Sequence, residues 1–260
     1  VNPVNLVGLT GACKEVAIVV TNPNIESCYI LIWYFITMVE RTISHASVAG
    51  LAELETSKVL RNTYLLLSVT LAFSALTAGV SVAMGVTLMN PWIFLIGVFG
   101  LSYLIHKTAD SALGLLMVFL FTGFIGFYIG PVISLYSAMP GGSSAVMSAL
   151  GLTAVVFLSL SGYALVTKKD FSFMTGFIMV GMFVMLGAII MGLVFDLGAI
   201  RTAISAGIVL LMSAMILWQT SAIIHGGETN YIRATVMLFM TIYNLFMSIL
   251  HLLMAFGGDD

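Results

Sequence analysis

The stretch "ILWQTSAIIHGGETNYIR" (residues 216–233) ends an apolar run with an amide and two hydroxyls, Gln219, Thr220 and Ser221. It then breaks at His225-Gly226-Gly227-Glu228. On a soluble helix such side chains would mark a wet face. In lipid they must find partners inside the protein, because hydrocarbon offers none. The solvent around residue 219 therefore decides the architecture.

Composition answers that question. The chain is 60% hydrophobic and 8% charged, with a mean hydropathy of +1.13. Soluble domains carry about 25% charged residues, so this chain cannot cover itself with a water-facing surface, and the lipid bilayer is its first partner. A formal net charge of -2 excludes a nucleic-acid footprint. The 17 Met and 17 Phe are packing and lipid-facing residues rather than cofactor boxes. Both cysteines, Cys13 and Cys28, lie near the start, so no disulfide framework or thiolate metal site is available further on.

From Thr63 onward, apolar runs alternate with short polar or Gly/Pro punctuation. Spans are expected near 63–86, 92–106, 112–136, 145–166, 172–194, 201–224 and 232–256. Runs of this length without period-two alternation select helices over a barrel. The expected fold is an all-α membrane protein, a bundle of seven transmembrane helices. Arg41, Lys58, Arg61, Lys107, Lys168, Lys169 and Arg233 fall on one side of this map and Arg201 on the other. The asymmetry places the N-terminus in the cytoplasm and Asp259-Asp260 outside.

Residues 1–37 are of another kind. They lack a basic region ahead of an apolar run, with Glu15 and Glu26 close by instead, so they do not form a signal peptide. The uncharged run from Ser27 to Val39 is shorter than the roughly 20 residues a spanning helix needs. Residues 1–37 read as upstream sequence translated from an over-extended start. The alternative is a genuine extension with an interfacial or short additional helix. Residues 38–62 then form a cytoplasmic leader from Met38, and 63–260 the membrane domain. The leader to Gly50 lacks apolar content, whereas "LAELETSKVLRN" suits an amphipathic lead-in to the first span.

Three groups of residues stand out. Gly126 and Gly130, in "TGFIGFYIGP", have the small-xxx-small spacing that lets helix backbones approach, and Pro131 removes an amide donor and kinks the helix. Thr241, Asn244 and Ser248 recur at i, i+3 and i+7, one face of the last helix, either hydrogen-bonded packing or a narrow ion path. His225, Glu228 and Arg233 lie in a loop whose Gly226-Gly227 should end the sixth helix, a solvated turn or a partner contact. His106 and His251 at span ends read as interfacial hydrogen-bonders rather than metal ligands. Ser143-Ser144 reads as an external turn, because no base accompanies it. No P-loop, HExxH or metal-spaced cysteine pair occurs, so neither an enzyme nor a cofactor is expected.

"GFYIGPVISLYSA" followed by "ALGLTAVVF" resembles the signature of the Bax inhibitor-1 family (transmembrane BAX-inhibitor-motif proteins): Gly130-Pro131, then Ala149, Thr153, Ala154 and Phe157. "KVLRNTYLLLSVTLAFSALTA" at 58–78, "KTAD" at 107–110 and "IIHGGETNYIRATV" at 223–236 resemble its bacterial, YccA-like branch. The resemblance runs from about Lys58 to Phe256. It implies a seven-helix inner-membrane bundle with the last helix central. It also implies a partner, the membrane AAA protease FtsH, which this branch binds and modulates. Other branches imply the alternative, a calcium or cation leak.

Many members carry one Asp in "DTQ" on the sixth helix and another before "xxNLF" on the seventh, a proton-sharing pair that gates conduction. The corresponding residues here are Gln219 in "LWQTS", with Thr220 beside it, and Thr241 in "LFMTIYNLF". Two buried carboxylates cannot both ionise, which is how such a pair senses pH. Gln and Thr have no such proton to share, and they avoid the roughly 2.5–3.5 kcal/mol of inserting an Asp at a helix centre. What they retain is an interhelical hydrogen bond, worth roughly 0.6–2 kcal/mol in a membrane. The resemblance thus reads Gln219 as an interhelical latch at a former gating site, with pH gating weakened.

Overall fold

The computed structural model describes residues 52–87, 90–195 and 198–257, and they form seven α-helices. These are α1 (Ala52–Ala83), α2 (Pro91–Thr108), α3 (Ala112–Ser137), α4 (Gly142–Thr167), α5 (Met174–Phe195), α6 (Gly198–Ile224) and α7 (Tyr231–Phe256). The supposed extension 1–37, most of the leader and Asp259-Asp260 lie outside the described residues. Each apolar run has become one helix. The largest difference is at α1, which starts at Ala52 and runs without a break through the boundary drawn at residue 62. The amphipathic lead-in is simply its first turns.

Five helices carry stretches long and apolar enough to cross a membrane: Ser57–Ala83 in α1, α3, α4, Thr202–Ile224 in α6, and α7. α2 and α5 contribute the shorter apolar stretches Trp92–Thr108 and Met174–Ala188.

Local sequence sets the helix ends. Asn90 caps α2 by accepting from Trp92 N at 3.0 Å, and Pro91 follows it, where its missing amide costs nothing. Asn230 caps α7 by accepting from Ile232 N at 2.9 Å and Arg233 N at 3.3 Å. α6 ends as its Gly pair suggests. Gly226 adopts φ 73, and Gly227 N closes on Ala222 O at 2.7 Å.

α7 is the axis of the bundle. Of the residues from Ala234 to Leu250, only Ile242 is not buried, so this helix is enclosed on all sides. α6, α4 and α1 pack around it. The outward faces of α1 and α4 are apolar and exposed, with Leu76 and Val80 on one and Leu158 and Val166 on the other, as lipid contact requires.

α1 and α3 make the closest seam. A Cβ at Gly126 would collide with Ser74 O and Thr77 Oγ1, and one at Gly130 would come within 2.8 Å of Ala78 O. Only hydrogen fits. Pro131 is buried within α3, which continues to Ser137.

Side-chain bonds gather three loops at one end. Asn230 Nδ2 donates to Ala109 O at 3.1 Å and Asp110 Oδ1 at 2.8 Å, joining the α2–α3 and α6–α7 loops. Phe171 N donates to Ser221 Oγ at 3.0 Å, tying the α4–α5 loop to the end of α6. Thr235 Oγ1 reaches Thr63 O at 3.3 Å, which brings the start of α1 to the same end. Lys107, Lys168, Lys169 and Arg233 lie there too. It is called the basic end below.

Candidate functional site

Among the described residues, half of the buried polar side chains lie on α6 and α7. Gln219 and Thr241, 3% and 0% exposed, meet across that seam, with Thr241 Oγ1 3.1 Å from Gln219 Oε1. The same hydroxyl lies 2.9 Å from Met237 O, one turn earlier on α7. Gln219 Nε2 is buried without a partner. Asn244 and Ser248 are buried on α7, and Asn244 Nδ2 donates to Met240 O at 3.0 Å. Farther along the seam, Ser205 Oγ and His251 Nδ1 lie 2.8 Å apart. The α6–α7 interface thus carries a polar pair toward each end, with Asn244 and Ser248 between them in sequence.

Thr220 faces another way. Its Oγ1 lies 3.1 Å from Ser161 Oγ on α4 and 3.2 Å from the Tyr64 hydroxyl on α1. Tyr64 and Ser161 are 2.5 Å apart, so three hydroxyls close a ring between three helices. The Tyr64 ring also lies against Phe157, with centroids 6.2 Å apart. Ser221, the next residue, serves the basic end: it accepts from Phe171 N and donates to Lys169 O at 3.2 Å. Trp218 Nε1 donates to Thr175 Oγ1 at 2.9 Å, fastening α5. Four consecutive residues, 218–221, therefore bind α5, α7, the α1–α4 junction and the α4–α5 loop.

At the basic end Glu228 is 8% exposed, its Oε1 accepting from Asn230 N at 3.0 Å and facing Arg233 Nε at 3.7 Å. His225 Nδ1 donates to Ser221 O at 2.9 Å, since a carbonyl can only accept. The Asp170 carboxyl is held below its ordinary range, first by the Ser172 amide at 2.8 Å, then by the Ser172 hydroxyl, with a smaller contribution from His225. A cavity of about 440 Å³ opens beside Asp110, Ser111, Asn230, Tyr231 and Arg233.

The residues singled out in the sequence separate into four places. Gln219, Thr241, Asn244 and Ser248 belong to the α6–α7 seam, and Thr220 to the hydroxyl ring. Gly126, Gly130 and Pro131 lie on α3, the glycines against α1. Glu228 and Arg233 pair at the basic end, where His225 caps its own helix. Among the described residues no three of His, Cys, Asp and Glu come together as metal ligands. Sequence reasoning passed over Tyr64, Ser161 and Asn230. The first two look like ordinary helix residues until the fold brings hydroxyls 97 positions apart into contact. Asn230 carried a usable signal, an Asn directly before an apolar helix, but not its reach across to Asp110.

The family model described as "Inhibitor of apoptosis-promoting Bax1" matches residues 56–258. An uncharacterised protein of Pseudomonas aeruginosa is 52% identical over 206 residues, which are 79% of this chain and 93% of that one. The modulator of FtsH protease YccA of Escherichia coli K12 is 46% identical over 207 residues, 80% of this chain and 94% of that one. In another E. coli strain the corresponding relative is named an inner membrane protein. A membrane protein of Vibrio cholerae is 40% identical over 208 residues, 80% and 93% of the two chains. The family model spans the seven helices but for the start of α1, these relatives match most of the chain, and the chain belongs to the Bax inhibitor-1 family.

Proposed function

We propose that this protein is a multi-pass component of the bacterial inner membrane that binds the AAA protease FtsH and modulates it, without catalysing a reaction. The observation that carries this reading is the 46% identity, over 94% of its length, to the E. coli protein named as a modulator of that protease. The geometry is compatible with it: the polar side chains of residues 218–221 link helices and loops to one another, Ser221 being tied to Phe171 N and Lys169 O. Modulation is by binding and by slow consumption. The leader at 38–50, whose sequence is poor in apolar residues, is what the protease grips, and the bundle resists being drawn out. Co-purification from native membranes should recover the protease with this chain, and a competing membrane substrate should be degraded more slowly in its presence. Failure to co-purify, with undiminished turnover of the competitor, would overturn the reading.

In this reading the helices cross seven times, with the N-terminus cytoplasmic and the basic end facing the cytosol. A second function, a calcium or cation leak, is favoured by one observation: the buried row Gln219, Thr241, Asn244 and Ser248, with one amide nitrogen unpartnered. Calcium flux into proteoliposomes separates the two functions. The modulator reading expects flux close to that of protein-free vesicles.

A further inference from the structure

The Tyr64 hydroxyl, ahead of the glycine seam along α1, enters a ring of hydrogen bonds with side chains of two other helices. We infer that the Tyr64–Ser161–Thr220 ring is a clamp that holds α1 against withdrawal from the basic end and sets how fast the chain is drawn out. The inference rests on the reading that the protein is a slow substrate of a pulling protease, and it names the place of resistance.

Its basis is geometric. The three oxygens lie 2.5, 3.1 and 3.2 Å apart, and each belongs to a different helix: α1, α4 and α6. Ser161 and Thr220 are 2% and 0% exposed and Tyr64 is half-buried, so opening the ring strips partners from two buried hydroxyls. One residue earlier, Thr63 O lies 3.3 Å from Thr235 Oγ1, a second and longer contact of a hydroxyl that donates to Tyr231 O at 2.7 Å, so α1 meets α7 at the same level. α1 is thus joined to α4, α6 and α7 within a single turn.

Beyond this level, α1 meets α3 through Ser74, Thr77, Ala78 and Ser81 against Gly126 and Gly130. That seam is close packing. Drawn from its N-terminal side, α1 loads the Tyr64 ring before the glycine seam. The ring must open first.

The decisive experiment pulls single molecules of the full chain from the N-terminal side in a bilayer. The unaltered protein should show a rupture whose contour length falls near Tyr64. Tyr64→Phe, which keeps the aromatic ring against Phe157, should lower that rupture force or move the rupture to the glycine seam. Ser161→Ala, which leaves α1 untouched, should do the same and guards against misfolding of the first variant. Ser205→Ala, in the seam's remote polar pair, should retain the Tyr64 rupture. In reconstituted membranes the protease should consume Tyr64→Phe about fivefold faster, the factor one net hydrogen bond supplies, with binding unchanged. An unchanged rupture in both Tyr64→Phe and Ser161→Ala would overturn the clamp. If the protease neither binds nor consumes any form, the proposed function fails, and the force traces still decide the clamp.

Discussion

A threonine hydroxyl has one proton, and Thr241 has two acceptors within reach, Gln219 Oε1 and Met237 O. Turning the Gln219 amide over ends the competition: Nε2 then donates to Thr241 Oγ1 while the hydroxyl donates to Met237 O. In either arrangement Thr241 is the partner of a buried amide. Thr241→Val should therefore cost about 1–3 kcal/mol, the penalty of an unsatisfied buried polar group. Pairing it with Gln219→Leu should recover most of that loss. Unfolding equilibria in bicelles would measure both, and a double variant as unstable as the single one would refute the pairing. Because neither residue titrates near neutrality, the Gln219–Thr241 contact should impose no pH dependence on conduction between about pH 6 and 8. Flux that rises steeply with pH across that interval would place the sensor elsewhere. The motif comparison identified Gln219 and Thr241 as facing residues, and the structure puts them in contact. It could not supply Thr220's separate allegiance, because neighbours on a helix point about 100° apart and only the fold says what each meets.

Asp170 gives a second residue-scale expectation. Its folded pKa is depressed, so its contribution is present above the unfolded value and lost as pH falls through the folded one. The side chain is exposed, so the effect is local rather than global. The protection of the Ser172 amide, its exchange measured against the intrinsic rate at the same pH, should fall as pH drops below the ordinary carboxylate range. Asp170→Asn keeps an oxygen acceptor and should remove that pH dependence.

For single elements, legibility followed from how much each signal depends on neighbours. Helix existence depends on hydrophobic length, and each of the seven expected segments is helical. Helix starts depend on local capping, and Asn90 and Asn230 supply it. The start of α1 was the weakest, because its first turns carry charges that resemble a solvated leader. Glycines show the same limit more sharply. Gly126, Gly130, Gly151 and Gly162 all look like small residues on apolar helices. Only the first two are pressed against another backbone; Gly151 and Gly162 have no heavy atom near the place a Cβ would take. Gly126→Ala should therefore destabilise by about 1–3 kcal/mol through overpacking. Gly151→Ala, which gains helix propensity, should be neutral or stabilising by up to about 1 kcal/mol. Thermal unfolding in one detergent would compare them, and equal losses would disprove the seam.

At the scale of the whole molecule the open choice is how many helices cross. α1, α3, α4, α6 and α7 have the length and apolarity to span, while the apolar stretches of α2 and α5 are shorter. Five crossings and seven both put the termini on opposite sides, so a reporter at Asp260 cannot separate them. The loops can. With seven crossings the α2–α3, α4–α5 and α6–α7 loops share one side; with α2 and α5 not crossing, the first two move to the other side and the third stays. The bonds from Asn230 to Ala109 and Asp110, and from Phe171 to Ser221, hold all three loops at one end of the bundle. That adjacency supports seven. It also agrees with the basic residues, because Lys107, Lys168, Lys169 and Arg233 would then share the cytosolic face. Replace Cys13 and Cys28 by Ser, then introduce Ser111→Cys, Lys169→Cys or Gly227→Cys one at a time. An impermeant maleimide added outside intact cells should label none of the three, and all three should react once the membrane is opened. Labelling from outside at residues 111 and 169 but not 227 would establish five crossings and separate the loops that the hydrogen bonds join.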